Sequence, residues 1–263
     1  MPPPPSSDDG DEDVIFTENG KSYTNAAMVV VGTLYTLGFV GIGIAALVEQ
    51  DVAKVLLVYS NLCFLLPSLQ AIKLNRWTMS GLYILMIVAS SCYHACNNWA
   101  GSCVLPASFL RKDDFFFAQL LIVMTALYLI QFTPHWAWIE RWLILFAAAA
   151  LVVVEVTTDE PFAAQVIIAG ASFALLLGYW IGYACITGGG FPPYEWEAFA
   201  LGVALTALAC VLFSTQQSWH LGYPWVHAIW HNLAALGQFW ILRTRKAAPR
   251  DAAMDAKINS HVF

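Results

Sequence analysis

The feature that most limits this chain is a series of eight apolar windows, at about 25–48, 54–72, 77–96, 114–133, 140–156, 162–187, 197–214 and 223–242. Each is close to the roughly 17–25 residues a helix needs to cross a bilayer. Backbone in hydrocarbon must satisfy its own N–H and C=O groups, and a helix does this within one segment. Charge argues against a water-exposed alternative. Only 11% of the residues are charged and 59% are hydrophobic, whereas soluble domains carry roughly 25% charged residues. The expected fold class is all-α: a polytopic membrane helical bundle. The links carry turn residues, such as Gly188-Gly189-Gly190-Phe191-Pro192-Pro193, and none is long enough to separate domains. Residues 1–24 begin MPPPPSSDDGDED and read as a disordered acidic tail, with no basic stretch of the kind that opens a signal peptide. Residues 25–243 form the bundle, and 244–263 a cytoplasmic tail. A net charge of −6 with no basic stripe excludes nucleic acid as a partner.

Lysines and arginines collect on the cytoplasmic side of membrane proteins. Lys73 and Arg76, Arg141, and the tail residues Arg243, Arg245, Lys246, Arg250 and Lys257 fall on one face of an eight-span topology. Lys54, Arg111 and Lys112 fall on the other. This bias predicts that both termini are cytoplasmic, in a plasma-membrane or secretory-pathway protein.

Ionisable groups at membrane depth are costly and mark functional sites. Here they cluster. Span 3 ends Ser90-Ser91-Cys92-Tyr93-His94-Ala95-Cys96, and span 4 opens with Asp113-Asp114-Phe115. Span 8 contains His227 and His231. Ser90 and His94 share a helix face, as do His227 and His231. The topology brings the three histidines and one aspartate to one level on the non-cytoplasmic side. Three imidazoles on converging helices suit Zn2+, which keeps a fourth position for water. A nearby carboxylate can move the proton during attack, and Asp114 is placed for this role. Ser90 could support a developing oxyanion.

Each element alone has a plainer reading. Paired histidines can be packing residues, the aspartates can be interfacial charges beside Arg111 and Lys112, and Ser90 can bond back to its own helix. It is the conjunction that favours a metal site. The remaining histidines, His135, His220 and His261, read as surface residues. Cys63, Cys92, Cys185 and Cys210 read as small buried hydrophobes. Cys96 and Cys103 flank a short polar stretch where an oxidising compartment would allow a disulfide.

Ser90-x3-His94, Asp114 and His227-x3-His231 together resemble the CREST superfamily of transmembrane hydrolases, which includes alkaline ceramidases and adiponectin receptors. The runs Ser90–Cys96 and Tyr223–His231 resemble most its branch containing myomaker and the transmembrane-protein-8 family. The resemblance covers roughly residues 55–243. It implies a seven-helix core over 54–243 with zinc held by His94, His227 and His231. The family's aspartate falls on Asp114, with Asp113 as the alternative. Span 1 precedes the matching stretch and is read as an added helix.

The expected function is that of a zinc-dependent hydrolase cleaving an amide or acyl ester of a membrane lipid, whether sphingolipid, phospholipid or GPI-type. Asp114 and Ser90 would be catalytic. The alternative, suggested by the myomaker likeness, is a non-enzymatic membrane-remodelling or cell-fusion protein with a structural zinc. Both a monomer and a homodimer are compatible with the sequence.

Overall fold

The computed structural model describes residues 10–130, 132, 137–158, 161–220 and 222–245. Among these the chain forms eight long helical segments and no strand. They are α1 (Gly10–Ala46), α2 (Gln50–Tyr59) continued through a 3-10 turn into α3 (Leu65–Lys73), α4 (Trp77–Asn98), α5 (Ala107–Ile130), α6 (Ala137–Thr157), α7 (Pro161–Thr187), α8 (Trp196–Thr215) and α9 (Tyr223–Leu242). Six segments are long and apolar enough to cross a membrane: Asn25–Ala46, Gln50–Lys73, Trp77–Asn98, Ala107–Ile130, Val166–Thr187 and Trp196–Ser218. The other two, α6 and α9, have 21 and 20 residues. Glu140, Arg141 and Glu155 interrupt the apolar run of α6, and α9 contains His227, His231, Asn232 and Gln238. The protein is thus an all-α polytopic bundle.

Two boundaries differ from the hydropathy reading. Residues 10–24 of the stretch expected as a disordered tail belong to α1. Residues 1–9 lie outside the described residues, as do 246–263 of the expected C-terminal tail. Span 4 was expected to open at residue 114, but α5 begins at Ala107, directly after Pro106. Hydropathy marks where hydrocarbon ends, whereas a helix continues into the interface as far as its backbone is satisfied. Asp113 and Asp114 therefore sit well inside α5 rather than at its first residue.

The 3-10 turn Ser60–Phe64 interrupts the second segment for a local reason. Pro67 has no N–H, and its ring crowds the carbonyl of Cys63 four residues earlier, so the α-helical pattern cannot run through.

α8 and α9 pack backbone to backbone. A Cβ on Gly202 would come within 2.9 Å of the Ile241 nitrogen and 3.0 Å of the Gly237 oxygen. Small residues permit this approach where helices gain nothing from hydrophobic burial between themselves. A polar layer ties α9 to α4 and α5: Tyr83 donates to Gln238 Oε1 at 3.2 Å, and Thr125 Oγ1 lies 2.7 Å from the same oxygen.

One end of the bundle gathers the basic residues. Arg76 pairs with Glu140 at 3.1 Å, and both Arg76 and Arg245 lie over the Tyr128 ring. Lys73 donates to Asn25 there at 2.6 Å. The chain after α9 is fixed at this end: Glu195 N–H donates to the Thr244 oxygen at 2.7 Å, and Tyr194 pairs with Arg245. Tyr194 also donates to the carbonyl of Leu129.

Candidate metal centre

At the opposite end, α4 and α9 bring three histidines together. His94 lies one turn before the end of α4. Gly222, whose φ of 82° suits glycine, caps the start of α9, and Pro224 follows in the first turn. His227 and His231 then fall one turn apart on the face toward α4. Ring centroids are 4.9 Å apart for His94–His227, 5.2 Å for His94–His231 and 4.7 Å for His227–His231. One nitrogen from each lies within 4.8 Å of the others, and all three residues are buried. The group could hold a metal ion.

Hydrogen bonding fixes which nitrogens are free. Ser60 Oγ donates its single proton to the Leu57 carbonyl at 2.6 Å. It lies 2.7 Å from His231 Nδ1 and can then only accept. In the tautomer that pairs Nδ1–H with Ser60, His231 keeps a lone pair on Nε2, which is buried and has no partner. His227 Nδ1 is 2.6 Å from Gln216 Oε1, an acceptor, so His227 also keeps Nε2 as a lone pair. Neither nitrogen of His94 has a partner. Buried polar atoms are nearly always paired, and orphans call for an explanation such as an ion. Outer hydrogen bonds of this kind orient metal-binding histidines.

Ser60 and Gln216 escaped the sequence reading. A signal existed for the first: Pro67 breaks span 2, and Ser60-Asn61 is a polar pair in an apolar run. The same turn grips His231 again, since Cys63 Sγ donates to the His231 carbonyl at 3.2 Å. Gln216 sits in a short turn after α8, and nothing local in the sequence links it to His227.

Asp114 and His227 line one cavity of about 570 Å3, whose wall also includes Phe213 and Trp230. Asp114 Oδ1 is buried without a partner. Asp113 is not part of this wall, so Asp114 is the carboxylate that faces the cavity. Ser90 is fully buried on α4, one turn below His94, with its hydroxyl beside the Asp114 carboxyl. Cys96 and Cys103 are joined by a disulfide that closes the link between α4 and α5 beside the site. Cys63 is buried, Cys92 half-buried, and Cys185 and Cys210 exposed on the bundle surface. The last two were expected to be buried, but their helices pack on few neighbours within the chain. His220 is exposed, while His135 and His261 lie outside the described residues.

A family model described as a protein of unknown function, DUF3522, matches residues 49–232, well over half of the chain. The chain belongs to the DUF3522 family. The DUF3522 match starts just before α2 and ends one residue past His231, so it contains Ser60, Ser90, His94, Asp114, Gln216, His227 and His231. It leaves α1 outside. No curated protein matches the chain.

Proposed function

We propose that this protein is a zinc-dependent hydrolase of membrane lipids, cleaving an amide or acyl ester bond. The observation that carries this reading is the pairing of three buried histidines, with lone pairs left unused, and a buried carboxylate on one cavity wall. The donor set suits zinc: three neutral imidazoles in an apolar setting, with the cavity at one side for a fourth ligand. Bound there, zinc supplies Lewis acidity and water activated for attack near neutral pH. Asp114 would take the proton from the attacking water and return it to the leaving amine or alcohol, releasing a free fatty acid. Ser90 would donate a hydrogen bond to the oxyanion that forms. Apolar walls such as Phe213 and Trp230 suit an acyl chain. The same residues support a relation to the CREST hydrolases.

The site end is read as non-cytoplasmic, with both termini in the cytoplasm. Two observations support this: the basic residues gather at the other end, and the Cys96–Cys103 disulfide lies at this one, where an oxidising compartment would maintain it.

The test is metal removal. Purified protein in liposomes of mixed sphingolipid and glycerophospholipid should release fatty acid, measured by mass spectrometry. Dialysis against a chelator should stop the release, and zinc but not magnesium should restore it. Release that persists after complete metal removal would rule out this function.

A further inference from the structure

Two of the helices that line the cavity do not pack on each other. One wall is α5, through Arg111, Asp114 and Phe115, and another is α8, through Phe213. α8 packs on α9, while α5 packs on α4, α6 and α7, and no comparable packing joins α5 to α8. A lipid in the adjoining leaflet could therefore reach the cavity between these two helices without leaving the membrane.

The cavity mouth carries a cation with no acid paired to it. Arg111 and Asp114 are the only charged residues on the wall among the described residues. Asp114 is half-buried, with its Oδ1 out of contact with solvent, on the wall it shares with His227, whereas Arg111 is exposed. The Arg111 guanidinium lies 5.7 Å from the centre of the Phe115 ring, which holds it over the mouth. It forms no ion pair among the described residues. Its neighbour Lys112 is engaged differently, donating to the Glu155 carbonyl at 2.8 Å. Tyr93 and Tyr223 flank the same mouth and add hydroxyl groups close to Arg111.

We propose that the preferred lipid carries a phosphate in its headgroup, and that Arg111 selects it. A guanidinium offers a planar fork of donors that matches phosphate oxygens, and the charge strengthens each hydrogen bond. The spacing fits as well. Arg111 and Asp114 are three residues apart on α5, about 4.5 Å along the axis at 1.5 Å per residue. In a glycerophospholipid only a few bonds separate phosphorus from the nearer acyl carbonyl. A phosphate on Arg111 thus leaves an acyl carbonyl near Asp114 and His227, with the chain trailing along Phe213 and Trp230. A lipid with a hydroxyl headgroup would leave the guanidinium without a matching anion. What happens to the lipid once bound rests on the hydrolase reading, but its selection does not.

The experiment compares phosphatidate with diacylglycerol of the same acyl chains, which differ by the phosphate alone. Full-length protein and its Arg111→Gln and Arg111→Lys variants, in a non-ionic detergent, are incubated with each lipid. Retained lipid is counted by native mass spectrometry, and zinc content reports that each variant is folded at the site. The wild type should retain phosphatidate about tenfold better, as expected for hydrogen bonds to a charged group. Arg111→Gln should lose the preference, and Arg111→Lys should keep part of it. Equal retention by the wild type, or a preference unchanged in Arg111→Gln, would overturn the proposal. So would displacement of phosphatidate by inorganic phosphate alone, which would mark a site for the free ion. A phosphate preference without fatty-acid release from either lipid would support the proposal and count against the hydrolase reading. Release from both lipids without a preference would do the reverse.

Discussion

Replacing His231 by alanine should remove bound zinc and reduce lipid turnover to background. His231 is fully buried, and its Nδ1 is held by Ser60, so only Nε2 is turned to the other two rings. Without it, two imidazoles remain, fewer than the three protein ligands usual for catalytic zinc. Stability should register the loss as well. Ligand that binds only the folded state adds about 2.7 kcal/mol at a hundredfold excess over Kd. Zinc should therefore raise the melting temperature of the wild type and leave that of His231→Ala unmoved. If zinc stays stoichiometric in the variant, the ligand assignment is wrong.

Asp114→Asn should have the opposite profile: zinc retained, turnover lost. The change is nearly isosteric and removes no histidine, so the triad and the disulfide beside it stay in place. What disappears is a group able to accept the proton of the attacking water. General-base catalysis contributes roughly 10²–10⁴-fold, and turnover should fall by about that factor. This variant also separates the two readings of the sequence. In a membrane-remodelling protein the metal would merely lock α4 to α9, and Asp114→Asn should leave both metal content and membrane activity intact. Loss of zinc from Asp114→Asn would place the carboxylate among the ligands and contradict its assigned role.

The histidines were legible because helix geometry is periodic. A spacing of four puts His227 above His231 and Ser90 below His94 whatever the helices pack against. Counting spans put the end of α4 and the start of α9 at one membrane level, and the structure brings their histidines together. The carboxylate was harder to locate. Asp113 and Asp114 are adjacent and point in different directions from a helix, and only packing decides that Asp114 faces the cavity. The start of α5 was obscured because Arg111, Lys112 and the two aspartates end the apolar window but not the helix. Ser60 and Gln216 belong to turns, so no periodicity predicts where they point. Their contacts with His231 and His227 depend on long-range packing of α9 against the 3-10 turn and the end of α8.

The helix α1 shows a similar limit. It is the first apolar run of the sequence, yet it lies outside the family match. Its Tyr35 donates to Asn232 Oδ1 at 2.8 Å, next to His231, and its ring stacks on Tyr59 next to Ser60. A helix that the apolar pattern marks only as a membrane anchor is thus also packed against the segments that hold the site.

Whether His94, His227 and His231 hold one zinc ion can be read by X-ray absorption at the zinc edge on purified full-length protein. One zinc per chain is expected, bound by three imidazole nitrogens at about 2.0–2.1 Å with an oxygen as the fourth neighbour. A protein without transition metal, or a zinc site showing sulfur neighbours, would contradict it.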